Sequence, residues 1–283
     1  KSATAPTAKV DVVVNNVSEA ALTLPAYLNF SSSAINGVNY NFVNPNSYTI
    51  NTVDSVATFA NVEIKQGVTA SYSFVVNSTS NPNYIFEIPD NAIDTSTLQV
   101  IVQESQSNSN YSIYKSATNY LTLNENSEVY FLQEALNGNY EIYFGDGTLG
   151  KKLSDGNIVL VSYISTEGTG AAGANSFVLL NTINGYAASA VNSVVPATSG
   201  GDKETIDSIK YHATKSYSAQ NRAVTKEDYI AAIQGNNLGY AFDAVNVWGG
   251  EENNPPVYGQ VFVSLKPKGS YALTNVQKND IIK

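Results

Sequence analysis

Short stretches in which apolar and polar residues alternate recur along the first two thirds of the chain. Clusters of Asn, Gly, Ser and Pro separate these stretches, and this combination predicts short β-strands joined by turns. The predicted strands are Ala8–Val17, Ser55–Ile64, Thr69–Asn77, Asn83–Pro89, Ser96–Ser105, Ser127–Ala135, Asn139–Gly147, Asn157–Thr166 and Asn175–Ile183. Their spacing predicts sandwich-like antiparallel sheets.

The pattern changes near residue 200, where helical periodicity replaces the alternation. Thr198–Gln220 begins with a Gly-Gly break and places acidic residues before lysines, the order that a helix dipole favours. Thr225–Asn237 predicts a second helix, because Thr225 and Asp228 have the spacing of a capping box. The remaining predicted elements are the strands Ala241–Gly249 and Val257–Pro267 and the helix Thr274–Lys283. We therefore expect a mainly β, multidomain chain that ends in a small helix-helix-strand-strand-helix α+β domain.

Three domains are expected along this order of elements. Residues 1–80 and 175–200 form one discontinuous β domain, because the predicted strand Asn175–Ile183 needs a sheet to join. Residues 81–174 form an inserted β domain, and residues 201–283 form the α+β domain. The chain starts at Lys1 and contains no Met, so we expect a fragment of a longer protein.

Composition narrows the classes of function. Charged residues make up 14% of the 283 residues, against about 25% in typical soluble domains. Neutral polar residues and tyrosine replace them, a composition that is common in secreted and virion proteins, and tyrosine is favoured in protein interfaces. The net charge of −9 comes without any run of Lys or Arg, which argues against a nucleic-acid partner. No apolar stretch approaches the 18 residues of a membrane span. The absence of Cys and the single His exclude disulfides, thiolate chemistry and His-rich or Cys-based metal sites.

The stretch "FGDGTLGKKLSDGN" (Phe144–Asn157) is similar to a phosphate-binding loop. Seven of the eight positions of G-x-x-x-x-G-K-[ST] fit, but Lys152 stands where a Ser or Thr would hold Mg²⁺. A phosphate loop also leads into a helix, whereas this stretch leads into a predicted strand. We interpret its glycines as turn residues of a long hairpin connection, and we expect Lys151 and Lys152 to face solvent or a partner subunit.

Other candidate sites depend on carboxylates and on the single histidine. Asp146 and Asp155 lie in Gly-rich turns, but no D-x-D-x-D-G calcium loop is present, and Asp-Gly is a common turn dipeptide. His212 has no G-x-S-x-G partner motif. The paired carboxylates are Asp202 with Glu204, Glu227 with Asp228, and Glu251 with Glu252. The first two pairs lie at predicted helix starts, where they stabilise the dipole. We therefore assign no catalytic, cofactor-binding or metal-binding residue.

The loop "WGGEENNPPVYG" (Trp248–Gly259) contains the only tryptophan. Two interpretations stay open: Trp248 is a partly buried aromatic residue that caps the small domain, or it is an interface anchor, since Trp and Tyr are enriched in binding hot spots. The candidate interface residues are Trp248, Pro255, Pro256 and Tyr258.

Three segments together resemble a known family. "YEIYFGDGTLGKKLSDGNIVLVSYISTEG" (Tyr140–Gly168) resembles the central segment of baseplate J-like proteins, the wedge components of contractile phage tails. "SGGDKETIDSIKYHATKSYSAQNRAVTKEDY" (Ser199–Tyr229) is similar to the family's second hallmark, in which N-R-A-V-T-x-x-D-Y opens a helix. "VNVWGGEENNPPVYGQVFVSLKP" (Val245–Pro267) is similar to the segment after that hallmark in the wedge proteins of T4-like phages. The resemblance covers residues 84–283 and is weaker over residues 1–80.

The resemblance implies a C-terminal fragment of a structural protein of the virion, located in the tail baseplate and assembled in the host cytoplasm. Such a protein self-associates as a homodimer or ring and binds other wedge subunits. It links wedges into a ring around the hub and passes on the conformational change at sheath contraction. No catalytic residue, cofactor, membrane or small-molecule substrate comes with the family. We expect hinges at Gly200–Gly201 and Thr169–Asn175, where the backbone is permissive.

A carbohydrate-binding or carbohydrate-degrading tail protein is the alternative. Tyr-rich β domains can bind sugars, and glycosidase carboxylates come from separate strands that a sequence does not bring together. Fibre proteins of this class usually contain trimeric repeats, and no fixed-period repeat occurs here.

Overall fold

The computed structural model describes residues 2–35, 37–117, 120–198, 200–210, 222–235 and 242–267, together with residues 213, 273, 278 and 281. The mainly β fold with a small C-terminal α+β part, expected from the sequence, is confirmed. His212, the distal half of the predicted helix Thr198–Gln220 and most of Thr274–Lys283 lie outside the described residues.

The described residues form seventeen strands and one complete α-helix, with three short 3-10 turns. The strands are β1 (Thr7–Asn15), β2 (Ala21–Leu24), β3 (Asn29–Ser32), β4 (Asn41–Val43), β5 (Tyr48–Asn51), β6 (Val56–Gln66), β7 (Val68–Val75), β8 (Phe86–Ile88), β9 (Ile93–Gln103), β10 (Tyr111–Ser116), β11 (Val129–Glu134), β12 (Tyr140–Phe144), β13 (Ile158–Ser165), β14 (Phe177–Leu179), β15 (Ala190–Thr198), β16 (Phe242–Gly249) and β17 (Val261–Pro267). The helix is α1 (Lys226–Gly235), and the 3-10 turns are Tyr120–Thr122, Gly168–Ala171 and Gly250–Glu252.

Two compact units divide the chain. The first contains Ala3–Gly67 and Glu167–Lys283, and the second contains Val68–Thr166. The three-domain division expected from the sequence stays a prediction.

The first unit contains a six-stranded antiparallel sheet in the order β14-β3-β4-β6-β1-β15. Strand β1 illustrates why the segment folds this way, because Val10, Val12 and Val14 alternate with polar or half-buried residues and are fully buried. Phe30, Phe42 and other apolar side chains of the same face complete this core. β2 and β5 pair in a separate two-stranded sheet. The sheet thus buries one face of each strand, as the alternation predicts.

The C-terminal part of the first unit begins with helical residues 206–210, so the helix starts later than the predicted Thr198. The predicted capping box of α1 is present: the Asp228 amide donates to Thr225 Oγ1 at 3.2 Å, and the Thr225 amide donates to Asp228 Oδ2 at 2.9 Å. These backbone donors lower the pKa of Asp228. α1 packs against β16, which pairs with β17 in an antiparallel hairpin.

The second unit contains a seven-stranded sheet in the order β7-β13-β9-β10-β11-β12-β8. All neighbours are antiparallel except β10 and β11, which run parallel. The inner face forms the core and includes Val100, Tyr114, Ile142, Val161 and Tyr163. The fully buried Tyr163 donates its hydroxyl to Asp90 Oδ2 at 3.0 Å, and burial raises the pKa of this phenol.

Candidate interface surfaces

The stretch Phe144–Asn157 connects two strands, as predicted, because it runs from the end of β12 to the start of β13. The expected hairpin is wrong, however, since β9, β10 and β11 lie between these two strands in the sheet. The connection therefore passes from one part of the sheet to another. No helix follows the glycines within this described segment, and the geometry of a phosphate loop is not formed.

Backbone contacts fix the glycine turn of this connection. The Gly150 amide donates to Asn124 O at 3.0 Å, and the Lys151 amide donates to Ser127 O at 2.8 Å. A Cβ added to Gly145 would lie 2.2 Å from the Gly150 carbonyl carbon, so only glycine fits there. Glycine is required at this point for close approach of two backbone segments and not for ligand binding.

Both lysines of the stretch are exposed, as expected. Lys151 Nζ lies 2.8 Å from Glu128 Oε1, and Lys152 Nζ lies 5.9 Å from the centre of the Tyr84 ring. Lys151 and the hydroxyl of Ser112 lower the pKa of Glu128. These lysines make contacts within the domain that do not involve a phosphate.

The two carboxylates that were considered for a calcium site accept hydrogen bonds from nearby residues. Asp146 Oδ1 accepts the amides of Thr148 and Leu149 at 2.8 and 3.1 Å, and these bonds lower the pKa of Asp146. Asp155 accepts the hydroxyl and the amide of Ser78, both at 2.7 Å, which lowers its pKa as well.

Carboxylates of the three acidic pairs form hydrogen bonds or ion pairs at the ends of α1 and of the short 3-10 turns. Asp228 caps α1, and Asp202 Oδ1 accepts the Thr169 amide at 3.2 Å. Glu252 forms an ion pair with Lys226, which lowers the pKa of Glu252. Within the described ranges, no group of three or more His, Asp or Glu side chains is arranged to hold a metal ion. None of the helices in the described part of the chain has the length and apolar character that a membrane crossing requires.

Of the four candidate interface residues, Trp248 lies near the end of β16, and Pro255, Pro256 and Tyr258 lie on the connection to β17. Trp248 is half-buried, and its ring stacks on Phe262 with 5.8 Å between ring centres. Its Nε1 donates to Asn253 Oδ1 at 2.8 Å, so the indole anchors the loop. Pro255 and Pro256 are exposed, as is Tyr258, which is 80% exposed.

Gly250 explains why this loop has a fixed shape. Its amide donates to Gln260 O, and its carbonyl accepts the Val257 amide, each at 2.8 Å. A Cβ at this buried glycine would lie 1.9 Å from the Val257 carbonyl oxygen. The loop therefore presents exposed Pro and Tyr side chains on a rigid base, although their use in an interface stays a prediction.

A surface that the sequence reasoning did not identify lies on the second unit. The outer face of β7, β13, β9 and β10 contains exposed apolar side chains, of which Val75, Tyr111 and Ile113 are 68%, 64% and 61% exposed. The signal was present in "NIVLVSYIST" (Asn157–Thr166), whose nearly continuous apolar run is typical of a strand that is covered on both faces.

On the same outer face, the strands β11 and β12 contribute to a stack of three aromatic rings. Phe131 lies between Tyr120 and Tyr143, with ring centres 5.6 and 5.0 Å apart and nearly parallel planes. Phe131 is only 7% exposed because its neighbours cover it. The central ring of this stack is covered, whereas Tyr120 at its end is 57% exposed.

Comparisons with known proteins give two family matches. Residues 225–283 match the family described as baseplate structural protein gp6, C-terminal domain I. Residues 75–167 match the family described as bacteriophage baseplate wedge protein gp6, third domain. The second segment lies almost wholly within the second unit.

Two individual proteins are similar to the chain. The baseplate wedge protein gp6 of Enterobacteria phage T4 is 30% identical over 177 residues, which are 55% of this chain and 26% of the relative. The chain thus spans about a quarter of the length of that relative. A cryo-EM structure of the anti-feeding prophage (AFP) baseplate, 6-fold symmetrised, is 13% identical and covers 98% of this chain and 54% of its own, with a TM-score of 0.27. At that TM-score the likeness carries no argument.

Proposed function

We propose, from the premise that this chain is a gp6-like baseplate wedge protein of the virion tail, that it links wedges into a ring around the central hub. In this role it self-associates, binds other wedge subunits and passes on the conformational change at sheath contraction. It carries out no chemistry and needs no cofactor. The observation that supports the proposal most is that two gp6 domain families match separate segments, at residues 75–167 and 225–283. Membership in the baseplate J-like family stays a prediction.

Self-association is the first part of the proposal to test. Sedimentation of the purified chain over a range of concentrations should reveal a dimer or a larger assembly. A strictly monomeric chain at the highest concentration would argue against the ring role. Glycan binding or sugar hydrolysis by the same sample would instead favour the carbohydrate alternative.

The loop with Trp248, Pro255, Pro256 and Tyr258 is the interface that we propose for this association. Exposed Tyr and Pro side chains on a rigid base lose little conformational entropy on binding. We expect Tyr258→Ala to weaken the association in sedimentation experiments, whereas Leu136→Ala, at another exposed side chain, leaves it unchanged. If both variants self-associate as strongly as the wild type does, the loop is not part of the interface.

The proposed conformational change would have to open hydrogen bonds at the two expected hinges. Thr4 and Gly201 exchange backbone hydrogen bonds of 2.8 and 3.0 Å, and the Gly173 amide donates to Ala197 O at 2.7 Å. Ala171 and Ala174 are buried next to that bond. A hinge role therefore predicts faster amide exchange at Gly173 and Gly201 after contraction than before.

A further inference from the structure

We infer that the outer face of β7, β13, β9 and β10 is a docking surface for a second, different baseplate protein, whose contact surface is apolar in the middle and positively charged at its rim. This inference rests on the proposed function, because it names a surface and a kind of partner for the same assembly role. Strand register, exposure and charge support it separately.

Strand register places the apolar side chains in two adjacent rows across four strands. The first row, from β7 to β10, consists of Val75, Ile158, Gln103 and Tyr111. The second row consists of Ser73, Leu160, Ile101 and Ile113. Residues two apart on a strand point to the same face, so these rows are neighbours. Six of the eight side chains are apolar or aromatic, and we call these six the outer apolar face.

Exposure of this face is greatest at the two ends of the rows, on β7 and β10. Val75 and Ile113 are each more than 60% exposed, as is Tyr111, and the other three side chains of the face, Ile101, Ile158 and Leu160, are half-buried. Val100 and Val161, on the inner face of β9 and β13, are fully buried. An antiparallel sheet with one face in water normally has a polar outer face. A contiguous apolar patch on a protein surface marks a contact with another molecule.

Charge identifies the kind of molecule. Residues 68–166 contain ten Asp and Glu against three Lys, a net charge of −7. Glu104 is exposed directly after the end of β9, where it accepts a hydrogen bond from Asn108, and Asp155 lies three residues before the start of β13. Hydrogen bonds from Ser78 lower the pKa of Asp155. The carboxylates at this rim therefore favour a partner with Lys or Arg opposite them.

The three lysines do not alter this conclusion. Lys151 pairs with Glu128, Lys152 lies beside the Tyr84 ring, and Lys115 occupies the row beyond Ile113, at the far end from Glu104. Pairing with the same face of a second copy would bring two units of net charge −7 against each other, and like charges disfavour that pairing. The charge thus selects a partner other than the chain itself.

The test uses the full chain in tails assembled by cells that make it as their sole wedge protein of this type. Ile113→Asp places a charge in the centre of the outer apolar face, and Leu136→Asp is the control at an exposed apolar residue of the β11–β12 turn. We expect Ile113→Asp to lower incorporation into purified tails at least about ten-fold, and Leu136→Asp to leave it unchanged. Both purified variants should melt close to the wild type, since neither residue is buried.

A second pair of variants tests the charge of the partner. Glu104→Lys should lower incorporation by a smaller factor of about two to three, whereas Glu125→Lys, at an exposed glutamate away from this face, should not. Higher incorporation of Glu104→Lys would mean an acidic partner rim and would overturn the inference.

The outcomes separate this inference from the proposed function. If the wild-type chain is absent from purified tails, the proposed function fails. If the wild type is present and Ile113→Asp is incorporated equally well, the docking surface fails while the proposed function stands. Cross-links from the outer apolar face to a second copy of the chain would overturn the choice of partner.

Discussion

The outer face of the seven-stranded sheet has two halves, and their apolar side chains are covered to different extents. On β11 and β12, Phe131 is covered by Tyr120 on one side and Tyr143 on the other. On β10, Tyr111 and Ile113 are 64% and 61% exposed, and on β13 the outer side chains Ile158 and Leu160 are half-buried. An aromatic surface that the domain covers itself needs no partner, whereas the outer apolar face does. Lack of local cover, more than hydrophobicity, distinguishes the proposed docking surface.

The carboxylates of both halves accept hydrogen bonds within the unit. Glu87 and Glu141 lie directly opposite each other on β8 and β12. Asn137 and Asn139 donate to Glu87, Gln133 donates to Glu141, and the two asparagine side chains lower the pKa of Glu87. On the other half, Asp155 likewise accepts hydrogen bonds from Ser78, and Glu104 accepts one from Asn108. Cover of the apolar side chains is therefore what separates the two halves.

The largest expected effect comes from truncating one apolar side chain in each half. Phe131→Ala should lower the free energy of unfolding by about 3–5 kcal/mol, because the ring is nearly buried. Ile113→Ala should change it by less than about 0.5 kcal/mol, because the side chain is exposed in the free chain. Urea unfolding of both variants measures the difference. Equal losses would mean that the two halves are covered alike.

The connection between the halves should show the next largest effect. Gly145→Ala forces a Cβ into the Gly150 backbone and should cost about 3 kcal/mol or more. Gly156→Ala, in the same connection, meets no atom within 4 Å but has a φ of +88°, so it should cost only about 1 kcal/mol. Thermal melting ranks the two variants. A smaller loss of stability for Gly145→Ala than for Gly156→Ala would mean that this turn can open without strain.

A smaller effect should come from exposed tyrosines in the two halves. Tyr120→Ala removes a ring that stacks on Phe131 and should cost about 1 kcal/mol. Tyr111→Ala, at a residue of similar exposure on the outer apolar face, should cost less than about 0.5 kcal/mol in the isolated chain. Chemical unfolding distinguishes them. A larger loss for Tyr111→Ala would indicate that the outer apolar face is covered within the chain itself.

The smallest effect should come from Glu128, at the boundary between the halves. Lys151 and Ser112 lower its pKa in the folded state. A lowered folded-state pKa stabilises the fold above the unfolded value and loses that contribution as pH falls through the folded value. Glu128→Gln should therefore cost about 0.5 kcal/mol or less at pH 7, because the pair is partly exposed. Its stability should approach that of the wild type in acid, and a cost independent of pH would contradict the assignment.

Strongly alternating segments could be predicted from the sequence, and weakly patterned ones could not. β1 was expected because its apolar residues recur at every second position, and β13 because its apolar run is nearly continuous. β15 was not, because Pro196 and several exposed residues interrupt its pattern, which an edge strand tolerates. β10 was missed because it is short and comes after an Asn-rich turn.

The candidate surfaces show the same limit. The capping box of α1 and the fixed loop at Trp248 depend on residues close in sequence. The outer apolar face depends on register between β10 and β13, which are distant in sequence and both pair with β9. The same nonlocal pairing made the supposed hairpin at Gly145 a connection across the sheet. The alternation within one segment does not show which strands pair with it or in which register.

Hydroxyl-radical footprinting of Tyr111 in purified tails tests the central claim most directly. The rate of oxidation of Tyr111 is compared between the isolated chain and the assembled tail, with Tyr120 as the internal reference of similar exposure on the other half. We predict that assembly protects Tyr111 several-fold and leaves Tyr120 almost unchanged. Equal oxidation of Tyr111 in both samples, with the chain present in the tails, would contradict the claim that this face docks a baseplate partner.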